Sequence, residues 1–367
     1  MTLIRIISEY SKRHDWLLNG AVLFLAAASL LILSSIDREL FWQQLIWFGV
    51  GFLVIYFFSV VDWRPLINYR WLVFSVYALA TLLLALTPFL APVIRSTRSW
   101  IVVGPVQIQT SEIVKFALIV LLSYFFAKRH VGIAHRGVLL KSLLYFAIPA
   151  GLILLQPDLG SALIIFAIWF GFLLVSGIKW KHLAIGLVAL IILLILAWNF
   201  LLAGYQRERI SAFLSPEKDP LGVNYSVIQS KITVGSGGFF GKGYQQGTQV
   251  QLGFLPAPGT DFIFSAFMEE WGLLGGLLVV GAFVLALIRI VRIGMNAQNN
   301  FYKLLCLGTA IMFLTQFTVN MGSSLGLLPV IGVTFPFFSY GGSSILTNAM
   351  LVGIIQAIVV RSSFLRA

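Results

Sequence analysis

FLPAPGTDFIFSAFMEEWG, residues 254–272, decides the fold, because a polar stretch marked by proline and glycine gives way here to a mostly apolar run over 264–290. That run is long enough to cross a bilayer as a helix. It also sets one carboxylate, Asp261, where loop meets apolar helix. An ionised group at such a border is costly unless it is solvated, paired or working. Asp261 is therefore the first candidate for chemistry.

Working outward, the same alternation of apolar run and short polar connection recurs along the chain. Of 367 residues, 59% are hydrophobic and 10% charged, with a mean hydropathy of +0.95. The runs lack the period-2 alternation of a transmembrane barrel, and backbone groups cannot stay unpaired in lipid, so helices are the remaining solution. The expectation is an all-α, polytopic integral membrane protein, read as one transmembrane domain over 1–367. Ten spans are placed at 16–35, 42–60, 71–88, 111–128, 139–156, 159–177, 182–203, 264–290, 303–322 and 343–360. The sixth follows the fifth after almost no loop, yet Pro157-Asp158 is a strong break: proline stops one helix and a carboxylate favours the start of the next.

Charge orients the bundle. Arg64, Arg70, Lys128, Lys141, Arg289, Lys303 and Arg361 all fall on one side, which the positive-inside rule makes cytoplasmic and which puts both termini inside. The net charge of +12, from 25 Lys+Arg and 13 Asp+Glu, is this asymmetry plus attraction to anionic lipid, and gives no reason to expect nucleic acid. The basic N-terminus leads into a long first span with no convincing small-residue cleavage site, so it reads as a retained helix and not as a signal peptide. A single cysteine, Cys306, excludes a disulfide within the chain.

Three outer connections are long, at 89–110, 204–263 and 323–342, and the middle one far exceeds the usual loop length. Its glycines imitate a nucleotide loop, but the spacing fails, since Gly241-Lys242 is followed by Gly243 where a phosphate loop needs Ser or Thr. They read instead as an irregular loop shaped by glycine. Gly322-Ser323-Ser324-Leu325-Gly326 matches G-x-S-x-G, but His14, His130, His135 and His182 all lie in cytoplasmic segments, away from that serine. The same placement removes a histidine-based metal site from the outer face.

What is left outside is chemistry of carboxylates and fixed cations. Arg98, Lys115, Arg207, Arg209, Lys231 and Lys242 are candidates to hold phosphate oxygens. Two readings stand for Glu112 and Lys115 at i,i+3, a site or a structural pair on one helix face. Asp158 reads as a helix start first and a binding residue second. Glu269 and Glu270, deeper in the eighth span, must pair or line a wet cavity. Gln316 and Asn320, at i,i+4 in the ninth, read as interhelical glue. Apolar neighbours at Phe262 and Phe264 suit Asp261 to act as a base.

These segments together resemble the SEDS family of shape, elongation, division and sporulation proteins: QPDLG at 156–160, YQRER at 205–209, QSKITVGSGGFFGKGYQQGTQ at 229–249, TDFIF at 260–264, LPVIGVTFPFFSYGGSS at 328–344, and RSW with QTSEIVK in the first outer loop. The resemblance covers nearly the whole chain, and GTQ at 247–249 is more similar to the elongation member than to the division member. It implies a glycosyltransferase that polymerises lipid II into peptidoglycan on the outer face of the bacterial cytoplasmic membrane, with a class B penicillin-binding protein as partner. It also implies that Asp261 is the essential aspartate and that Arg98, Glu112, Lys115 and Asp158 occupy positions the family uses. The family's usual His before Thr-Asp and acidic residue after Leu-Pro are here Gly259 and Ala257, which takes any role for that histidine away. No cofactor is implied; the one addition the chemistry admits is a divalent cation on the pyrophosphate. A lipid-linked precursor flippase and a non-catalytic scaffold activating its partner are the alternatives. In lipid, the last two spans with small Gly353 would offer a face for the partner's helix.

Overall fold

The computed structural model describes residues 13–92, 98–104, 106–128, 136–177, 204, 207, 222 and 224–364. The apolar runs form α1 (Trp16–Ile36), α2 (Arg38–Val60), α4 (Arg70–Leu90), α5 (Thr110–Ala127), α6 (Arg136–Leu155), α7 (Leu159–Val175), α10 (Ile263–Met295), α11 (Asn300–Ser324) and α12 (Gly342–Phe364). Between them lie the short α3 (Arg64–Asn68), α8 (Tyr225–Ser236) and α9 (Thr248–Gln251). Nine of the ten expected spans thus coincide with a helix, and the seventh, 182–203, lies outside the described residues. Eight of the nine are long and apolar enough to cross a membrane, and α7 is the shorter one.

The long connection between α4 and α5 departs from an all-helical reading. Trp100–Val103 and Val106–Gln109 pair as an antiparallel hairpin, β1 and β2, with Val103 opposite Val106 across Gly104. Gly104 takes a φ of 60°, which a two-residue hairpin turn needs and a side chain resists. Pairing on itself satisfies the backbone of a segment too short to span.

Helix α5 is the axis of the bundle. Every residue from Val114 to Phe126 is buried, because α4, α6, α7, α11 and α12 all pack on it. The helices α2, α4 and α6 instead present Trp42, Leu53, Phe57, Leu82 and Leu144 outward, as lipid-facing surfaces do. Gly353 does not lie on such a surface. It lets α12 approach α2 so closely that a Cβ there would come within 2.9 Å of the Ile55 carbonyl, so it serves an internal contact and is not open to a partner. At the other end of the bundle, Asp15 caps α1, accepting from Leu18 N at 2.9 Å, and is gripped by Arg289 of α10. Gln356 of α12 joins them, accepting from Asp15 N at 2.9 Å.

The helix entered from the opening stretch is not continuous. Gly272 breaks α10 with φ 66° and ψ −170°. The broken ends are taken up by the glycine-rich turn: Leu273 N donates to Gly238 O at 2.9 Å, Leu274 N to Phe239 O at 3.1 Å, Lys242 N to Glu269 O at 2.9 Å and Gly243 N to Glu270 O at 3.0 Å. A Cβ on Gly241 would overlap the Glu270 carbonyl, so the glycines serve close approach of two backbones. The 23 residues from Leu273 to Met295 rise about 34 Å, enough to span alone. The part of α10 long enough to span therefore starts after Gly272, and the segment carrying Asp261, Glu269 and Glu270 packs with the loop structure before it.

Candidate active site

Asp261 sits half-buried on the turn that leads into α10, immediately before buried Phe262. The turn closes on Ala257, at φ 45°, whose carbonyl accepts from Thr260 N at 3.2 Å and Phe262 N at 3.4 Å. Three successive carbonyls then point away to other elements. Gly259 O accepts from Tyr340 N at 2.9 Å. Thr260 O accepts from Ser339 Oγ at 2.8 Å. Asp261 O accepts from Asn320 Nδ2 at 3.3 Å and Ser324 Oγ at 3.4 Å. Two of the partners are themselves fixed: Ser339 Oγ also accepts from Phe335 N at 3.0 Å, and the Tyr340 hydroxyl donates to Gln43 Oε1. Burial, followed by the Glu39 carboxylate, pushes the Tyr340 phenol up, so it stays neutral and able to donate. The turn is thus tied to α11 and to the 329–341 loop through backbone atoms.

A buried ion pair lies on α5. Lys115 Nζ donates to Glu112 Oε1 at 2.7 Å, with both side chains almost wholly buried (2% and 3% exposed). Glu112 Oε2 is buried without a hydrogen-bond partner among the described residues. A Cβ on Gly308 of α11 would come within 3.0 Å of the Ile119 side chain of α5, and the two helices run oppositely. About two turns outward along both, Gln316 comes level with Glu112. Both amide atoms of Gln316 are likewise buried without a hydrogen-bond partner among the described residues. The packed face of α5 and α11 therefore holds unspent hydrogen-bonding capacity at the depth of the pair.

Asp158 fills the helix-start role: its Oδ1 accepts from Ser161 N at 2.9 Å as the N-cap of α7. Its Oδ2 does more, accepting from Gln109 Nε2 at 3.0 Å and Ser111 Oγ at 3.5 Å. Through Gln109 N, which donates to Ser343 Oγ at 3.0 Å, the hairpin is also pinned to the start of α12. Asp158 thus orients the entrance to α5 just above Glu112.

The remaining cations divide. Lys231, exposed on α8, lies over Gly326 at the end of α11. Its neighbour Ser230 bonds Ser265 Oγ at 2.7 Å and donates to Ser324 O at 2.6 Å, which brings this part of the large loop beside the Asp261 turn. Lys242 is engaged elsewhere, donating to Glu269 Oε1 at 2.7 Å. Arg98 is exposed beside the hairpin and donates to Pro88 O at 3.4 Å. Arg207 is half-buried, and Arg209 lies outside the described residues.

Sequence reasoning treated Asn320 only as glue and gave Ser324 and Ser339 no role, although Ser324 stands in the G-x-S-x-G match at 322–326 and Ser339 in the segment at 328–344 that carries the family resemblance. Glu269, expected to pair or to line a cavity, pairs. It accepts from Lys242, Ser236 Oγ at 3.3 Å, Thr248 Oγ1 at 3.4 Å, Gln249 N at 3.0 Å and Val250 N at 3.2 Å, and so caps α9. Glu270 accepts from Ser35 Oγ of α1 and from Gln251 Nε2 at 3.5 Å. Both carboxylates fasten the large loop to the bundle.

Comparison with known proteins gives a consistent picture. The family described as cell cycle protein, comprising FtsW, RodA and SpoVE, matches residues 14–363. The peptidoglycan glycosyltransferase MrdB of Helicobacter pylori is 36% identical over 337 residues, covering 90% of this chain and 86% of its own. Among solved structures, a peptidoglycan synthase complex coordinating polymerization and crosslinking superposes with a TM-score of 0.82 at 33% identity, covering 96% of this chain and 98% of that one. The rod shape determining protein RodA of Thermus thermophilus superposes with a TM-score of 0.71 at 30% identity, covering 94% and 96%.

Proposed function

This chain belongs to the FtsW, RodA and SpoVE family, and from that premise we propose how its residues carry out the polymerisation of peptidoglycan. It is a multi-pass bacterial membrane protein and a peptidoglycan glycosyltransferase of the elongation type, working with a crosslinking partner of the class B penicillin-binding kind. In our reading, the Asp261 carboxylate takes the proton from an acceptor 4-hydroxyl. The freed oxygen attacks C1 of the lipid-linked donor sugar, and the bond from C1 to the pyrophosphate oxygen breaks. The departing undecaprenyl pyrophosphate carries the displaced electron pair, and cations meet the charge as it develops.

Lys115, together with Arg98, Lys231 and the outer-loop Arg207 and Arg209, supplies those cations. Lys115 weighs most, since a buried ammonium acts at lower effective dielectric than one open to water. The described residues hold no group of three or more His, Cys, Asp or Glu that could bind a metal ion, so a divalent cation, where one takes part, would be carried by the pyrophosphate. The single observation that carries this reading is the turn of Asp261: a half-buried carboxylate is presented on a peptide whose consecutive carbonyls are all anchored from other elements. Anchored presentation is what general-base chemistry requires and what a transport path does not.

We further propose that both termini are cytoplasmic and that 204–263 is outer, which the distribution of Lys and Arg supports. Cysteines at Gln245 and Asn299 should then react oppositely with an impermeant thiol reagent on intact cells; equal labelling from outside would contradict it. For the activity, protein and partner are reconstituted in liposomes with lipid II. Glycan strands are expected, whereas precursor crossing the bilayer without polymer would favour a flippase.

A further inference from the structure

We infer that Asn320 is the positioning residue for Asp261, a role that rests on the reading of Asp261 as the base. The side-chain amide of Asn320 has two N–H bonds, and both are spent on backbone carbonyls of different segments. One reaches Asp261 O at 3.3 Å and the other Val333 O at 2.8 Å. Those two acceptors fix which way the amide faces, since the reverse placement would press three oxygens together. Its own Oδ1 is buried without a hydrogen-bond partner among the described residues, so the side chain is held in place for its donors alone. At 2% exposure, water does not compete for either bond.

Asn320 therefore locks the peptide that carries Asp261 to the 329–341 loop, with α11 as the rigid post. A second donor on the same post, Ser324 Oγ, approaches Asp261 O at 3.4 Å. Both bonds to this oxygen lie at the long end of hydrogen-bond geometry, whereas the bond to Val333 is of ordinary length. The grip on the loop is thus the firm one, and the grip on Asp261 is one that can tighten when substrate orders the turn.

The test compares variants in the purified complex with partner, polymerising lipid II. Asn320→Ala should lower kcat about 10-fold or more, in keeping with the sensitivity of catalysis to small misplacements, while KM and co-purification with the partner hold. Asn320→Asp keeps the shape but exchanges donor for acceptor, and should fall at least as far. On an Asp261→Asn background, Asn320→Ala should leave the residual rate unchanged, because a residue acting through another adds nothing once that other is gone.

Wild-type kcat in Asn320→Ala, or an equal loss on both backgrounds, overturns the inference. Should Asn320→Ala fail to accumulate, Ser324→Ala removes the second donor to the same oxygen and leaves Val333 held. A several-fold drop in kcat at constant KM then supports the positioning role of this post, and an unchanged kcat overturns it. Asp261→Asn at the wild-type rate would remove the base reading itself; an inactive Asp261→Asn beside a fully active Asn320→Ala removes only the role of Asn320.

Discussion

Two Lys–Glu pairs in this molecule share a length of 2.7 Å and differ in everything else. Around Glu269, five donors including two backbone N–H groups of α9 use up the carboxylate, and Lys242 is only the outermost of them. Around Glu112, one oxygen meets Lys115 and the other has no hydrogen-bond partner among the described residues. Lys115, with three N–H bonds to give, is bonded there to that single carboxylate oxygen. A buried pair stabilises a fold when its remaining lone pairs and protons are satisfied, and costs stability when they are not. The Glu269 pair has the character of a fastener. The Glu112 pair has the character of a site held ready for a charged ligand.

The largest effect should follow from breaking the unsatisfied pair. Lys115→Met is expected to lower polymerisation by more than about 10²-fold through lost stabilisation of the leaving group. It should also destabilise the protein by about 3–5 kcal/mol, because it strands a buried carboxylate. Exchanging the two residues separates these effects, since the double variant restores the pair and moves the ammonium. The swapped protein should fold and stay inactive; a fully active swap would make this pair a fastener like the other.

Smaller effects are expected at the satisfied pair. Glu269→Gln should cost about 1.5–3 kcal/mol in thermal or detergent stability, because charge-assisted bonds from Lys242 and the start of α9 weaken together. Activity per folded molecule should change little. Lys242→Met should cost no more than about 1 kcal/mol, since that ammonium is partly exposed and the backbone donors remain. If Lys242→Met instead abolishes activity in well-folded protein, Lys242 belongs to the site and the distinction between the pairs collapses.

What the sequence disclosed and what it withheld divide along similar lines. Local relations were legible: the i,i+3 spacing placed Glu112 against Lys115, Pro157-Asp158 marked the start of α7, and apolar run length marked the spans. Partners distant in the chain were not. Lys242 and Glu269 are 27 residues apart with nothing at either end to name the other, so Lys242 read as a candidate phosphate cation. The break at Gly272 is hidden among other glycines and becomes necessary only once the turn at 237–243 packs against it. The hairpin was signalled, by four-residue β-rich runs on either side of Gly104-Pro105, but an all-helical frame gave that signal no weight. Asn320 looked like any polar residue in a helix interface, because its function lies in two carbonyls that carry no sequence information at all.

The central claim, that Asp261 performs base chemistry on an anchored turn, is tested most directly by the initial rate of glycan strand formation from lipid II. Purified wild-type and Asp261→Asn proteins are compared, each in complex with the partner. Exchange of a half-buried carboxylate for its amide isostere preserves shape and leaves the backbone anchors from Asn320, Ser324, Ser339 and Tyr340 in place. The account predicts a loss of about 10²-fold or more, the scale of general-base catalysis, with thermal stability and partner binding unchanged. An Asn variant that polymerises at the wild-type rate would contradict it.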